Sequence, residues 1–292
     1  MSKISGHAVK LILPGLLSGL DDRQWRSKKG AVDLLGSMAF LAPRQLSLSL
    51  PTIIPRLTEV LTDSHTQVRA AANASLKSFG EVVVNPEVKT MSPTLLDALV
   101  DPTRKTQRAL DALLAAAFAH RLDSSSLALV VPILERAIRE RSSDLKRKSV
   151  QIIGNLATLA ESRDLGPYLS QLVPRVREVL VDPVPEARAT AARALGSLVE
   201  RLGETSFPDL VEDLLAQLQA EAGAGSGIDQ QGAAQGLSEV IAGLGTDRLD
   251  ELLPSVLNGT RSSRSYVREG FISLLVFLPA TCVRRFVGTL TV

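Results

Sequence analysis

Apolar residues recur along this chain with a helical period. Leu50, Ile53, Ile54, Leu57 and Leu61 stand at offsets 0, 3, 4, 7 and 11, and Leu169, Leu172, Val173, Val176 and Leu180 repeat those offsets one for one. Such spacing makes one stripe of a 3.6-residue helix apolar. A second segment follows, with Ala191, Ala192, Leu195, Leu198, Val199 and Leu202 in phase, and its small residues let two helices approach closely. Two amphipathic segments in each stretch of about forty residues predict stacked helical hairpins.

Prolines mark the period. Pro14, Pro55, Pro93, Pro132, Pro174 and Pro254 fall inside the first segments at intervals of 41, 38, 39, 42 and 80, the last being two periods with the missing position near Glu212. A proline there removes one backbone donor and clashes with the preceding turn, so the helix is expected to bend. Eight residues after the proline comes an acid in most units, namely Asp22, Asp63, Asp101, Glu140 and Asp182. Six further on comes a base in most units: Lys28, Arg69, Lys146, Arg188 and Arg268. Two units depart, with Gln107 in place of the base and Ser262 in place of the acid. The acid is expected in the turn before the second helix, where the dipole favours negative charge. The base is expected to reach the acid of an adjacent unit, giving a ladder of ion pairs that sets register more than stability.

Proline, an acid eight later and a base six after that resembles the HEAT repeat. The fold expected is all-α, a HEAT-repeat α-solenoid of the armadillo (ARM-type superhelix) kind. It has about seven antiparallel helix pairs, at 6–41, 49–85, 89–121, 126–162, 167–203, 207–245 and 249–279, and a truncated eighth at 280–292. The whole chain reads as a single array, a fragment of a longer protein.

Longer stretches are more specific. "MSPTLLDALVDPTRKTQRAL", "SLALVVPILERAIRERSSDLKRKSVQIIGNLATL" and "LVDPVPEARATAARALGSLVERLGE" resemble the HEAT region of fungal translation elongation factor 3. With "LPTIIPRLTEVLTDSH" and "DQQGAAQGLSEVIAGLG" they are still more similar to the elongation-factor-3-like section of the general control translational activator family. The resemblance implies a cytoplasmic, non-enzymatic scaffold that contacts translating ribosomes, stalled and collided ones included. It also implies support for activation of the initiation factor 2 alpha kinase in amino-acid starvation, with the kinase-binding segment outside this chain. The partners implied are the ribosome, through ribosomal proteins or the rRNA backbone, and proteins of the translational-control complex.

Charge and composition narrow the alternatives. The 292 residues are 45% apolar and 22% charged, enough for a substantial core, and the formal net charge is only +2. Aromatic residues make up 3%, so burial must come from Leu, Ala, Val and Ile. One tryptophan, two tyrosines and a near-neutral balance argue against a nucleic-acid-processing HEAT enzyme such as a base-excision glycosylase. A generic protein-binding scaffold of the transport-receptor or phosphatase-scaffold type remains the alternative. No G-x-x-x-x-G-K-[ST] occurs, so no ATP-binding cassette is expected, and neither cofactor nor small-molecule substrate. "GFISLLVFLPATCV" is too short to span a bilayer and holds Pro279, so no membrane partner is expected. A lone cysteine, Cys282, cannot form an intrachain disulfide and is expected to be an inert thiol.

Basic clusters recur at the start of the second helices: Arg23, Arg26, Lys28 and Lys29; Arg104, Lys105 and Arg108; Lys146, Arg147 and Lys148; Arg261, Arg264 and Arg268. Sharing one phase, they are expected along one edge, as a ridge for rRNA phosphates or acidic ribosomal proteins. The competing reading is a solvated face, some of whose members belong to the ladder, and Glu186 and Asp229 interrupt the ridge. The triplet Lys146 to Lys148 is the foremost candidate, since three consecutive bases cannot all serve a ladder. Of the rest, "AEAGAGSGIDQQG" with Gly223, Gly225 and Gly227 reads as a long turn rather than a phosphate loop. His7, His65 and His120 are too scattered for a metal cluster, and Trp25 reads as packing on the next repeat rather than as a base-stacking residue.

Overall fold

The computed structural model describes residues 6–220 and 227–278. The side chain of His7, Gly223, Gly225, Pro279, Cys282 and the partial unit at 280–292 lie outside the described residues. In chain order the α-helices are α1 Gly6–Gly19, α2 Trp25–Leu41, α3 Pro43–Val60, α4 Thr66–Gly80, α5 Pro86–Val100, α6 Pro102–Ala115, α7 Ser124–Ile138 and α8 Ser143–Leu159. Then come the short α9 Ser162–Leu165, α10 Leu169–Val179, α11 Pro185–Leu202, α12 Leu210–Gln219, α13 Ile228–Leu244, α14 Thr246–Thr260 and α15 Ser265–Phe277. Among the described residues the extended pairing is limited to one isolated bridge between Leu122 and Ala160. The fold is an all-α helical-repeat solenoid.

The chain divides into two compact units, Met1–Arg136 with Leu159–Asp164, and Ala137–Thr158 with Leu165–Val292. In the first, α1 pairs with α2, α3 with α4 and α5 with α6, and α2 also lies along α4. In the second, α10 pairs with α11, α12 with α13 and α14 with α15, while α11 lies along α13 and α13 along α15. Pro14, Pro51, Pro55, Pro93, Pro174 and Pro254 all sit inside the first helix of a pair, and Pro132 sits inside α7. The corresponding helix α12 has none.

The apolar stripes form the interior. Leu50, Ile53, Ile54 and Leu57 have no accessible surface, nor do Leu172, Val176, Leu195 and Leu198. Each such aliphatic side chain contributes about 1.5–3 kcal/mol on burial, so a row of leucines replaces the aromatic anchors this chain lacks. Val173 departs from the pattern: it is half-buried and lines an apolar cleft of about 560 Å³ with Leu169, Pro174, Phe207 and Leu210. Second helices meet through residues without bulk. A β-carbon on Gly36 of α2 would lie 2.5 Å from Ser75 Oγ of α4, and one on Gly196 of α11 would lie 2.7 Å from the Glu239 carbonyl oxygen of α13.

One helix ends earlier than its sequence suggests. "AAAFAH" continues the Ala-rich run of α6, yet Ala116 is extended at φ −72°, ψ 130° and the helix stops at Ala115. The carboxylate of Glu87, in the first turn of α5, accepts from the Ala119 N–H at 3.2 Å and pairs with His120 Nδ1 at 2.8 Å. Asn85 donates to the Arg121 carbonyl at 3.1 Å. Further on, Leu122 donates its N–H to the Leu159 carbonyl at 2.9 Å. Partners more than thirty residues away hold this connector extended, against its local helix propensity.

Candidate interaction surface in the hairpin turns

The acid of most turns first serves its own backbone. Asp22, Asp63 and Asp182 each accept the N–H two residues on, from Gln24 at 2.7 Å, His65 at 2.8 Å and Val184 at 3.0 Å. This is the Asx turn, in which a short carboxylate substitutes for a backbone acceptor. Asp101 stands directly before α6 and caps it instead, accepting from the Arg104 N–H at 3.4 Å. Ser262 does the same work where the acid is missing, accepting from the Arg264 N–H at 3.3 Å.

The base divides by residue type. Lys28 reaches across to Asp63 of the next pair at 2.7 Å, and Lys146 reaches Asp182 at 3.2 Å. The arginines turn inward. Arg69 Nη1 donates to the Asp63 and Ser64 carbonyls at 2.7 and 2.9 Å, and Arg188 Nη1 to those of Asp182 and Pro183 at 2.8 and 3.2 Å. Arg268 repeats the grip on Ser262 and Ser263 at 2.7 and 3.0 Å. Among the described residues the ladder expected from Asp22, Asp101, Glu140, Arg69, Arg188 and Arg268 therefore reduces to two rungs, both made by lysine. In each grip one terminal nitrogen, Nη1, gives its two coplanar N–H groups to two adjacent carbonyls. The rest of the guanidinium stays available for another acceptor, as Arg188 Nη2 shows by donating to Gln231 Oε1.

Asp182 is the most enclosed of these acids, with no accessible side-chain surface. Burial alone would raise its pKa, but the Val184 N–H, the Ser143 hydroxyl at 2.8 Å and the Lys146 ammonium together outweigh that and hold it below the ordinary value. Asp63 is also held low, chiefly by its bond from Lys28 and then by the His65 N–H.

This geometry reassigns the basic clusters. Every member of the triplet has a carboxylate partner: Lys146 on Asp182, Arg147 on Asp144 at 2.8 Å, and Lys148 on the other Asp144 oxygen at 3.1 Å. Lys29 pairs with Asp33 at 2.6 Å. In the first unit Arg23, Arg26, Arg104 and Arg108 are exposed, and Lys105 is half-exposed. In the second unit Arg261 and Arg264 are exposed, and Arg264 donates to the Tyr266 hydroxyl at 3.3 Å. Arg139 and Arg141, in the turn before α8, are likewise exposed. Sequence reading passed over this pair although Arg139 and Arg141 stand in the phase of Arg261 and Arg23, because the adjacent run Lys146 to Lys148 drew the assignment for this turn. His65 and Trp25 come together as a parallel stack, ring centroids 4.0 Å apart, with Arg26 over the indole at 4.7 Å. Trp25 thus packs on the next helix pair. Among the described residues no group of three or more His, Cys, Asp or Glu is placed to hold a metal, and no helix is long and apolar enough to cross a membrane.

Comparison with known proteins agrees with the turn pattern. The family model for the elongation factor 3 N-terminal HEAT repeat matches residues 1–76, and that for the elongation factor 3/GNC1 HEAT repeat matches residues 104–209. The eIF-2-alpha kinase activator GCN1 of Saccharomyces cerevisiae is 52% identical over 279 residues, 96% of this chain and 10% of that protein. The stalled ribosome sensor GCN1 of Homo sapiens is 47% identical over 289 residues, 98% of this chain and 11% of that protein. Elongation factor 3A of Saccharomyces cerevisiae is 30% identical over 219 residues, 73% of this chain and 21% of that protein. The chain thus spans about a tenth of the length of its GCN1 relatives. With both family models matched and the similarity running through nearly every turn described above, the chain belongs to the elongation factor 3/GCN1 family of HEAT-repeat proteins.

Proposed function

We propose that this chain is a cytoplasmic, non-enzymatic scaffold segment that contacts ribosomes, stalled or collided ones included. Within a longer protein it supports activation of the initiation factor 2 alpha kinase during amino-acid starvation. The observation that carries this reading is 47–52% identity, over nearly the whole chain, to proteins named as a stalled ribosome sensor and a kinase activator. What supports it structurally is a set of exposed cations in the hairpin turns, set on helices and without a carboxylate partner among the described residues, suited to rRNA phosphates or acidic ribosomal proteins. Arg104, Lys105 and Arg108 at the start of α6 are the densest such group, with Arg23, Arg26, Arg261 and Arg264 as further contacts. Lys146 contributes to the joint between α8 and the turn before α11, Arg147 and Lys148 pair with Asp144 within α8, and all three serve ribosome binding only secondarily.

The test is co-sedimentation of the chain with purified ribosomes across a salt series. Weak association that fades with salt is expected, because the segment holds only part of a multivalent surface. Absence of any ribosome-dependent pelleting at low salt would overturn the reading.

A further inference from the structure

The turn between α1 and α2 holds the chain's one tryptophan, and its surroundings are unlike those of the other turns. Trp25 is half-buried at the first position of α2. One face of its indole lies parallel to the His65 imidazole, 4.0 Å between centroids and 8° between planes. The imidazole is itself fixed, because its Nδ1 accepts the Gln67 N–H at 3.3 Å as the cap of α4. With that face taken at stacking distance, Arg26, 4.7 Å from the centroid, occupies the other. Arg26 is exposed, and among the described residues it makes neither an ion pair nor a side-chain hydrogen bond. A solvent-exposed cation–π contact is its whole attachment, which is a weak one.

The neighbouring charges leave the turn positive. Asp21 is paired with Arg56, Lys28 with Asp63 and Lys29 with Asp33. Asp22 is the remaining acid, its carboxylate engaged by the Gln24 N–H, against the two exposed cations Arg23 and Arg26. A flat, rigidly backed aromatic face under a displaceable guanidinium, with a second arginine beside it, is the arrangement that receives one unstacked base between two phosphates. An acidic peptide would use the cations and leave the indole face without a partner. A duplex keeps its bases stacked on each other and has none to offer.

We propose that this turn is a single-stranded RNA contact, in which a base stacks on the Trp25 face now covered by Arg26 while Arg26 and Arg23 move to the flanking phosphates. The proposal rests on the ribosome reading and names rRNA, rather than an acidic ribosomal protein, as the partner at this turn.

Because the emission of Trp25 is the chain's entire tryptophan signal, fluorescence reports the stack directly. The chain is titrated with a single-stranded oligouridine of about twelve nucleotides, with a duplex of the same length, and with polyglutamate. Saturable quenching by the single strand, at least about tenfold weaker for the duplex and absent with polyglutamate, is the expected result. Arg23→Ala/Arg26→Ala, both exposed positions, should weaken binding about tenfold without altering the far-UV circular dichroism. Followed by anisotropy of labelled RNA, Trp25→Phe should keep affinity within about threefold and Trp25→Leu should lose about tenfold. Equal quenching by polyglutamate, or Trp25→Leu binding as wild type, would overturn the proposal. A chain that pellets with ribosomes yet shows no quenching overturns the RNA contact and leaves the ribosome reading standing; quenching without pelleting does the reverse.

Discussion

Arg188 and Lys146 occupy the same place in their hairpins and do different things. Arg188 is buried, and its guanidinium joins the Asp182 and Pro183 carbonyls of its own turn to Gln231 Oε1 of α13 at 3.3 Å. Arg188→Lys should therefore destabilise the chain by about 1–2 kcal/mol in denaturant unfolding, since a single ammonium nitrogen cannot stand in both places that Nη1 and Nη2 occupy, between the turn's carbonyls and Gln231. Asp182→Ala should cost more, about 3 kcal/mol, because Lys146, Ser143 and the Val184 N–H all lose their acceptor inside the joint. The same carboxylates set the acid limit. Asp63 and Asp182 have lowered pKa values in the folded chain, so the unfolded chain takes up their protons first. Their contribution is complete above the ordinary value of 3.8 and is lost as pH falls below it, through the folded values. Glu239 has the opposite sign: burial raises its pKa, with Arg193 partly opposing, so its ionised form is a liability that protonation relieves. In urea titrations, Asp182→Asn should flatten the loss of stability below about pH 4, and Glu239→Gln should be neutral or stabilising at about pH 7. A wild-type acid slope retained in Asp182→Asn would remove that residue from the account.

At the scale of the helices, what decides packing is the absence of side chains. Gly196 lets α11 approach α13 until a β-carbon would stand 2.7 Å from a backbone oxygen, which cannot swing aside as a side-chain tip could. Gly196→Ala should push the two helices apart and cost about 1–3 kcal/mol, although alanine is the better helix former. A variant as stable as wild type in thermal unfolding would show that this interface tolerates more separation than the geometry allows. The helices themselves are legible from the chain. Period-3.6 stripes such as Leu50 to Leu61 and the interior prolines mark first helices because both are local properties. The early end of α6 is not legible, since its causes, Glu87 and Asn85, act from the preceding helix of the pair. The partners of the triplet are half-legible: Asp144 precedes Arg147 and Lys148 by three and four residues, a spacing that brings side chains together on any helix. The split between lysine and arginine needs the turn's carbonyls in space, which periodicity does not supply.

For the molecule as a whole, a net charge of +2 means that association with a polyanion depends on where cations lack partners rather than on a general field. Paired cations such as Lys146 and Arg147 are offset by carboxylates within 3.2 Å and present little charge to an approaching phosphate. Unpaired ones in the turns present all of theirs. Two sets of substitutions should therefore separate cleanly. Arg104→Ala/Lys105→Ala/Arg108→Ala should weaken ribosome co-sedimentation by roughly tenfold and reduce the salt slope by about 1 for each phosphate no longer neutralised, with stability within about 0.5 kcal/mol of wild type. Lys146→Ala/Arg147→Ala/Lys148→Ala should do the reverse, lowering stability by roughly 1–2 kcal/mol because Asp182 and Asp144 are left without their cations, while changing sedimentation little. Adding Arg23→Ala/Arg26→Ala to the α6 variant should compound its deficit, because separate turns on a rigid scaffold bind independently and their effects add. If the two triple variants instead lost ribosomes equally, unpaired charge would not be what selects the binding surface, and the joint between α8 and α11 would return as its centre.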